Sequence, residues 1–188
     1  MDEVSLADLL PVSKDDIWCH LRPLHSVLQI PANPEKPIRT LHLSFREFLL
    51  SDKIRHEPFA VDGLATHRML LTKCLDMLSG PDGLRENLCG LKYPGQPRRV
   101  VDPTMINERL SPAFQYACRY WVHHVQYSMV PIHDDDEVHV FLRKYFLHWL
   151  EALSLMNRIT EVIEYVCVLQ SLVSVSDPLG GISREGIN

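Results

Sequence analysis

The chain has no apolar run as long as the roughly 18 residues a membrane-spanning helix needs. Its opening, MDEVSLADLL, is acidic where a secretory signal would be basic. Positive charge is also scarce: 19 Lys and Arg stand against 24 Asp and Glu, giving a formal net charge of −5. No stripe of Lys and Arg offsets that average, so the surface is not built to neutralise a phosphate backbone, which disfavours nucleic acid as a partner. These absences predict a soluble, cytoplasmic protein that has no membrane partner.

Motifs that announce chemistry are missing too. No glycine is followed by lysine, so GxxxxGK[ST] cannot occur and the chain alone cannot cradle a nucleotide triphosphate in a P-loop. There is no GxSxG nucleophile elbow, no CxxC, no HExxH and no Cys/His pair at zinc-finger spacing. The five cysteines, Cys19, Cys74, Cys89, Cys118 and Cys167, are odd in number and widely spaced, which argues against a disulfide framework and for reduced thiols. Ten histidines raise the question of zinc. Cys118 with His123 and His124 is the nearest approach to a metal cluster, but histidines at the surface or interface of a core helix account for it more simply. The expectation is therefore no catalytic residue, no metal and no cofactor held by this chain by itself.

What is present is ordinary globular material: 188 residues, 46% hydrophobic and 23% charged, enough for one or two small domains. SLADLL reads as a short helix, and SKDDIWCHL as another, with Ser13 as cap and Asp15 and Asp16 in the first turn. Pro23 interrupts it. SVLQIP and IRTLHLSF read as two strands joined by the turn ANPEKP. In LHLSFREFLL, Leu41, Leu43 and Phe45 alternate with His42 and Ser44, then Phe45, Phe48 and Leu49 recur at helical spacing. Ser44 followed by Glu47 has the spacing of a capping box, so His42 is expected to end a strand beside a helix start, where anions are welcome. Helix, helix, hairpin, helix is the order of a winged helix with ANPEKP as the wing. DDIWCHLR begins with two acids and Glu35 stands beside Lys36 in the wing, so a surface for protein is favoured over one for DNA.

From Asp62 the pattern is helical. VDGLATHRMLLTKCLDMLS puts Leu64, His67, Leu71, Cys74, Leu75 and Leu78 on one stripe, with Asp62 as cap and Gly80-Pro81 as stop. LRENLCGL adds a short turn, and KYPGQPRRVVDP is a proline-rich loop. SPAFQYACRYWVHHVQ has Pro112 in its first turn and aligns Phe114, Ala117, Cys118, Trp121 and Val125 toward a core. The acidic run Asp134 to Glu137 could be a metal site, yet it precedes EVHVFLRKYFLHWLEALSLM, where carboxylates complement a helix N-terminus. Val138, Phe141, Leu142, Tyr145, Phe146, Trp149 and Leu153 give that helix a wide apolar stripe, and RITEVIEYVCVLQSLV supplies a last helix to pack on it.

The strings LRPLHSVLQIP, IRTLHLSFREFLL, CLDMLSGPDGLRENLCGL, FQYACRYWVHHVQ and FLRKYFLHWLEALSLMNRI together resemble, in order, the segment that follows the NTPase core in fungal NACHT-type STAND proteins, the het-E-like vegetative-incompatibility family. The resemblance covers about residues 4 to 174. It implies a mainly α chain: a winged-helix-like domain at 4–50, a linker at 51–61, a helical arm domain at 62–174 and a flexible tail at 175–188. Its role would be non-catalytic, coupling a NACHT NTPase core to a downstream repeat sensor, and both would be its partners, in cis or in trans. ADP, ATP or GTP would enter only with that core. His42 of LHLSF takes the place of a winged-helix histidine that points at nucleotide phosphates in related proteins. Phe114, Trp121, Phe141, Tyr145 and Trp149 would form the core of the arm. The chain lacks the P-loop, Walker B strand and WD repeats of the family, and is expected to be a fragment, a truncated gene product or one piece of a larger architecture. The alternative is a DNA-binding winged helix with a helical dimerisation domain.

Overall fold

Three long helices carry the hydrophobic core, and each starts where a side chain caps it. The computed structural model describes residues 3–10, 12–31, 33, 36–93 and 95–173. Within them lie helices α1 (Glu3–Leu9), α2 (Lys14–Leu21), α3 (Leu43–Leu49), α4 (Gly63–Ser79), α5 (Pro103–Arg109), α6 (Pro112–Ser128), α7 (Glu137–Leu155) and α8 (Val162–Leu172), with one small antiparallel sheet of β1 (Leu28–Gln29) and β2 (Arg39–Thr40) between α2 and α3. The protein is thus mainly helical. Ala32, Pro34 and Glu35 of the expected wing, Pro94 of the expected loop, and the expected tail at 175–188 fall outside the described residues.

The cap chemistry explains the boundaries. Asp62 accepts a hydrogen bond from the Ala65 N–H at the head of α4, Ser111 from the Phe114 N–H at the head of α6, and Asp136 from the His139 N–H at the head of α7. Pro112 occupies the first turn of α6, where its missing N–H costs nothing. Asp136 also accepts from the His133 N–H at 2.7 Å, so the acidic run before α7 closes a turn and caps a helix. Gly80 ends α4.

α4 and α6 form the central pair, and α7 and α8 close over it. Leu71, Cys74, Leu75 and Leu78 of α4 meet Phe114, Ala117, Cys118, Trp121 and Val125 of α6, all buried. Leu64, placed by its spacing on the α4 stripe, lies before the packed turns and stays exposed. Between the pair and α7, the Trp121 ring stands 5.2 Å from Trp149 and 5.1 Å from Phe141, both edge-on, the arrangement ring quadrupoles favour. The Trp149 Nε1–H donates to the Cys118 carbonyl at 2.8 Å, so this buried indole keeps its hydrogen bond. Tyr145, half-buried, donates to the Ser79 carbonyl at 3.3 Å and ties α7 to the end of α4. Leu9 of α1 belongs to the same buried cluster, and α1 packs on α6.

The first fifty residues follow the expected order of elements but not the expected lengths. Each strand is two residues long, pairing Leu28 with Thr40 and Gln29 with Arg39. Gln29, Arg39 and Thr40 are exposed, so no buried face rewards further pairing. The alternation at Leu41, Leu43 and Phe45 is not a strand: β2 ends at Thr40 and α3 begins at Leu43. Ser44 and Glu47 therefore do not form the expected capping box. The helix starts early enough that His42 is the N-cap residue, with no side-chain capping bond, and Ser44 sits inside the first turn.

Candidate functional site

Two different stripes run along α6. The apolar one faces the core. The other, Tyr116, Tyr120, His123, His124 and Tyr127, recurs at i, i+4, i+7, i+8 and i+11 and so also falls on a single helical face. That face looks toward His67 of α4 and Arg46 of α3.

The histidines and tyrosines make a contiguous cluster. The His67 and His124 Nδ1 atoms are 2.9 Å apart, and the Tyr116 hydroxyl is 3.0 Å from His124 Nε2. The His123 ring lies tilted at 4.3 Å from Tyr127, which also stacks at 5.3 Å on His67. Tyr116 and Tyr120 are 4.7 Å apart. Burial pushes the Tyr116 hydroxyl up to about 12, so it remains protonated and can donate. With Tyr116 as the donor to His124 Nε2, the His124 Nδ1–H donates to His67 Nδ1. The remaining N–H of His67 is then on Nε2.

Charge within the cluster has one sign. Burial first, then His67 and His123, hold His124 down to about 4. Burial followed by His123 and Arg46 lowers His67, and burial followed by Arg46 lowers His123. All three imidazoles are thereby neutral near pH 7. Two adjoining cavities open between α3 and this face. One, of about 470 Å³, has Arg46, His67, His123 and His124 on its wall and no carboxylate among its described lining residues. The other, of about 720 Å³, shares Arg46 and His67 and adds Arg55, Asp52, Glu57 and Asp62.

The residues singled out in the sequence lie in separate places. His42 is exposed at the head of α3 and does not line either cavity. Phe114, Trp121, Phe141 and Trp149 are buried in the core and Tyr145 is at its edge. Cys118 is fully buried against the Trp149 indole, on the core stripe, while His123 and His124 belong to the other. Burial raises the Cys118 thiol far above its ordinary range. No group of three or more metal-ligating side chains with metal-binding geometry occurs among the described residues. No helix among them is long and apolar enough to cross a membrane. Arg46, Tyr116, Tyr120 and Tyr127 were not marked by sequence reasoning. The only local signal for them is the second periodicity on α6, which says nothing of what faces it.

The chain is 29% identical to the vegetative incompatibility protein HET-E-1 of Podospora anserina, over an alignment of 176 residues that covers 81% of this chain and 12% of that protein. No family model and no solved structure matches the chain.

Proposed function

We propose that this chain is a non-catalytic regulatory segment of a STAND-type switch in fungal non-self recognition, coupling a NACHT NTPase core to a downstream repeat sensor. The observation that supports this most is the similarity to a vegetative incompatibility protein along four-fifths of the chain. The chain spans 12% of that relative's length. On this reading residues 4–50 are the winged-helix-like part, 51–61 the hinge and 62–174 the helical arm, working in the cytoplasm. The rigid α4, α6 and α7 core would move as a body, and the turns around Asp52–Ile54 would absorb the rotation.

His42 is the residue assigned to nucleotide phosphate. Its exposed position at the head of α3 leaves its imidazole free to meet a neighbouring domain. ADP, ATP or GTP would bind only with the NACHT core present. The test is ADP titration of a protein in which such a core precedes this chain, with and without His42→Ala. The expected result is weaker ADP binding and a lower activation threshold in the variant. Unchanged affinity and threshold would remove His42 from the switch.

A further inference from the structure

Arg46 makes no hydrogen bond or ion pair with a carboxylate among the described residues, although it lines a cleft with three histidines. A cation facing three imidazoles with no carboxylate in ion-pair contact is an arrangement that an incoming negative group would relieve. We propose that the cleft between α3 and the α4–α6 pair is a binding site for a small organic anion, a carboxylate or phosphate ester with a planar or apolar body, held by Arg46 and His67.

Each part of the ligand has its counterpart. Arg46 brings the permanent charge and a planar fork of donors suited to either oxyanion. His67 lines the same cleft, and with Tyr116 donating into the relay its remaining N–H is on Nε2. His123, exposed on the rim, adds a second imidazole. Phe45, Leu49, Leu70 and the paired Tyr116 and Tyr120 rings form the apolar wall. A volume of about 470 Å³ suits a metabolite-sized molecule rather than a bare ion. Asp52, Glu57 and Asp62 line the adjoining cavity, so a second negative group extended that way would be repelled. An anion at this place would also raise the histidines' affinity for protons, so it should bind more tightly as pH falls below neutral.

The inference draws its ligand-holding residues from α3, α4 and α6 and is independent of the switch reading. It is tested on this chain with ring-15N-labelled histidine, following the imidazole signals by NMR while phenyl phosphate, benzoate or inorganic phosphate is added near pH 7. Saturable binding of phenyl phosphate or benzoate is expected, with the His67 signals shifting. Tighter binding of the first identifies a phosphate ester, and of the second a carboxylate. Inorganic phosphate should bind at least about tenfold more weakly, for want of a body to fill the cleft. Arg46→Gln, at an exposed position that the fold tolerates, should weaken binding by about tenfold or more, as should His67→Gln. Absence of binding at millimolar ligand, equal binding by Arg46→Gln, or equal binding of inorganic phosphate as an adventitious ion only would each overturn the proposal.

Discussion

His67 and His124 share a proton: their Nδ1 atoms stand 2.9 Å apart across the α4–α6 pair, and His124 is buried while His67 is only half covered. A hydrogen bond of this kind needs one imidazole to donate and the other to accept, so it is lost when both rings are protonated. The pair is a contact between the two central helices that acid breaks.

The consequence is a stability that depends on pH with a definite sign. His124 is held to about 4 in the folded chain, below its ordinary 6.5, chiefly by burial and then by His67 and His123. The unfolded chain therefore binds more protons between these values, and stability falls as pH drops from about 6.5 toward about 4. Above that window the contribution is fully present. His67 and His123, lowered in the same direction and facing Arg46 across the cleft, add to the trend. Urea unfolding at pH 7 and pH 5 should show a loss on the order of 1–2 kcal/mol. In His124→Gln that difference should shrink; an undiminished pH dependence would mean other groups cause it.

The Trp149 indole predicts a second measurement. It is fully buried, packs edge-on against Trp121 and donates to the Cys118 carbonyl at 2.8 Å. Trp149→Phe removes both the donor and part of the ring, leaving a void between α6 and α7. The expected loss is about 2–4 kcal/mol. A loss below about 1 kcal/mol in chemical denaturation would show that the core closes around the smaller ring.

Long helices were legible from sequence and short elements were not, for a physical reason. α6 and α7 bury one face along nearly their whole length and α4 along its second half, and Asp62, Pro112 and the acidic run before α7 mark their starts. Around His42 no face is buried, since Leu41, Leu43 and Phe48 are all exposed, so the apolar spacing there fits a strand and a helix alike. The histidine–tyrosine cluster was hidden for a different reason. His67 and His124 are separated by 57 positions, and Arg46 comes from a third element, so no local pattern could join them. Sequence grouped His123 and His124 with Cys118 instead, and the helix turns that thiol to the opposite stripe.

Ser111, found as a cap, and Ser44, expected as one, provide a paired test. Ser111 accepts from the Phe114 N–H at 3.2 Å and stands outside the first turn of α6. Ser44 lies inside the first turn of α3 and is exposed. Ser111→Ala should cost about 1 kcal/mol, and Ser44→Ala within about 0.5 kcal/mol of nothing. The reverse order in thermal denaturation would restore Ser44 as the cap and move the start of α3.

Thiol reactivity should divide the five cysteines into two classes. Cys19 and Cys167 are exposed, whereas Cys74, Cys89 and Cys118 are buried. Burial pushes the Cys74 thiol up to about 12 and raises Cys89 and Cys118 as well, with Glu151 adding to the rise at Cys89. The nucleophile in disulfide exchange is the thiolate, which these three cannot form near neutral pH without opening the α4–α6 pair or the turn that follows α4. Titration with an aromatic disulfide reagent should give two fast equivalents in the native protein and five in denaturant. Because Cys74 and Cys118 face each other's helices in the core, their slow phase should follow the same urea dependence as global unfolding, while the turn bearing Cys89 opens more readily. A third fast equivalent would locate that opening at Cys89; four or five would mean that the central helix pair separates without unfolding, and the rigid body assigned to α4, α6 and α7 would have to be abandoned.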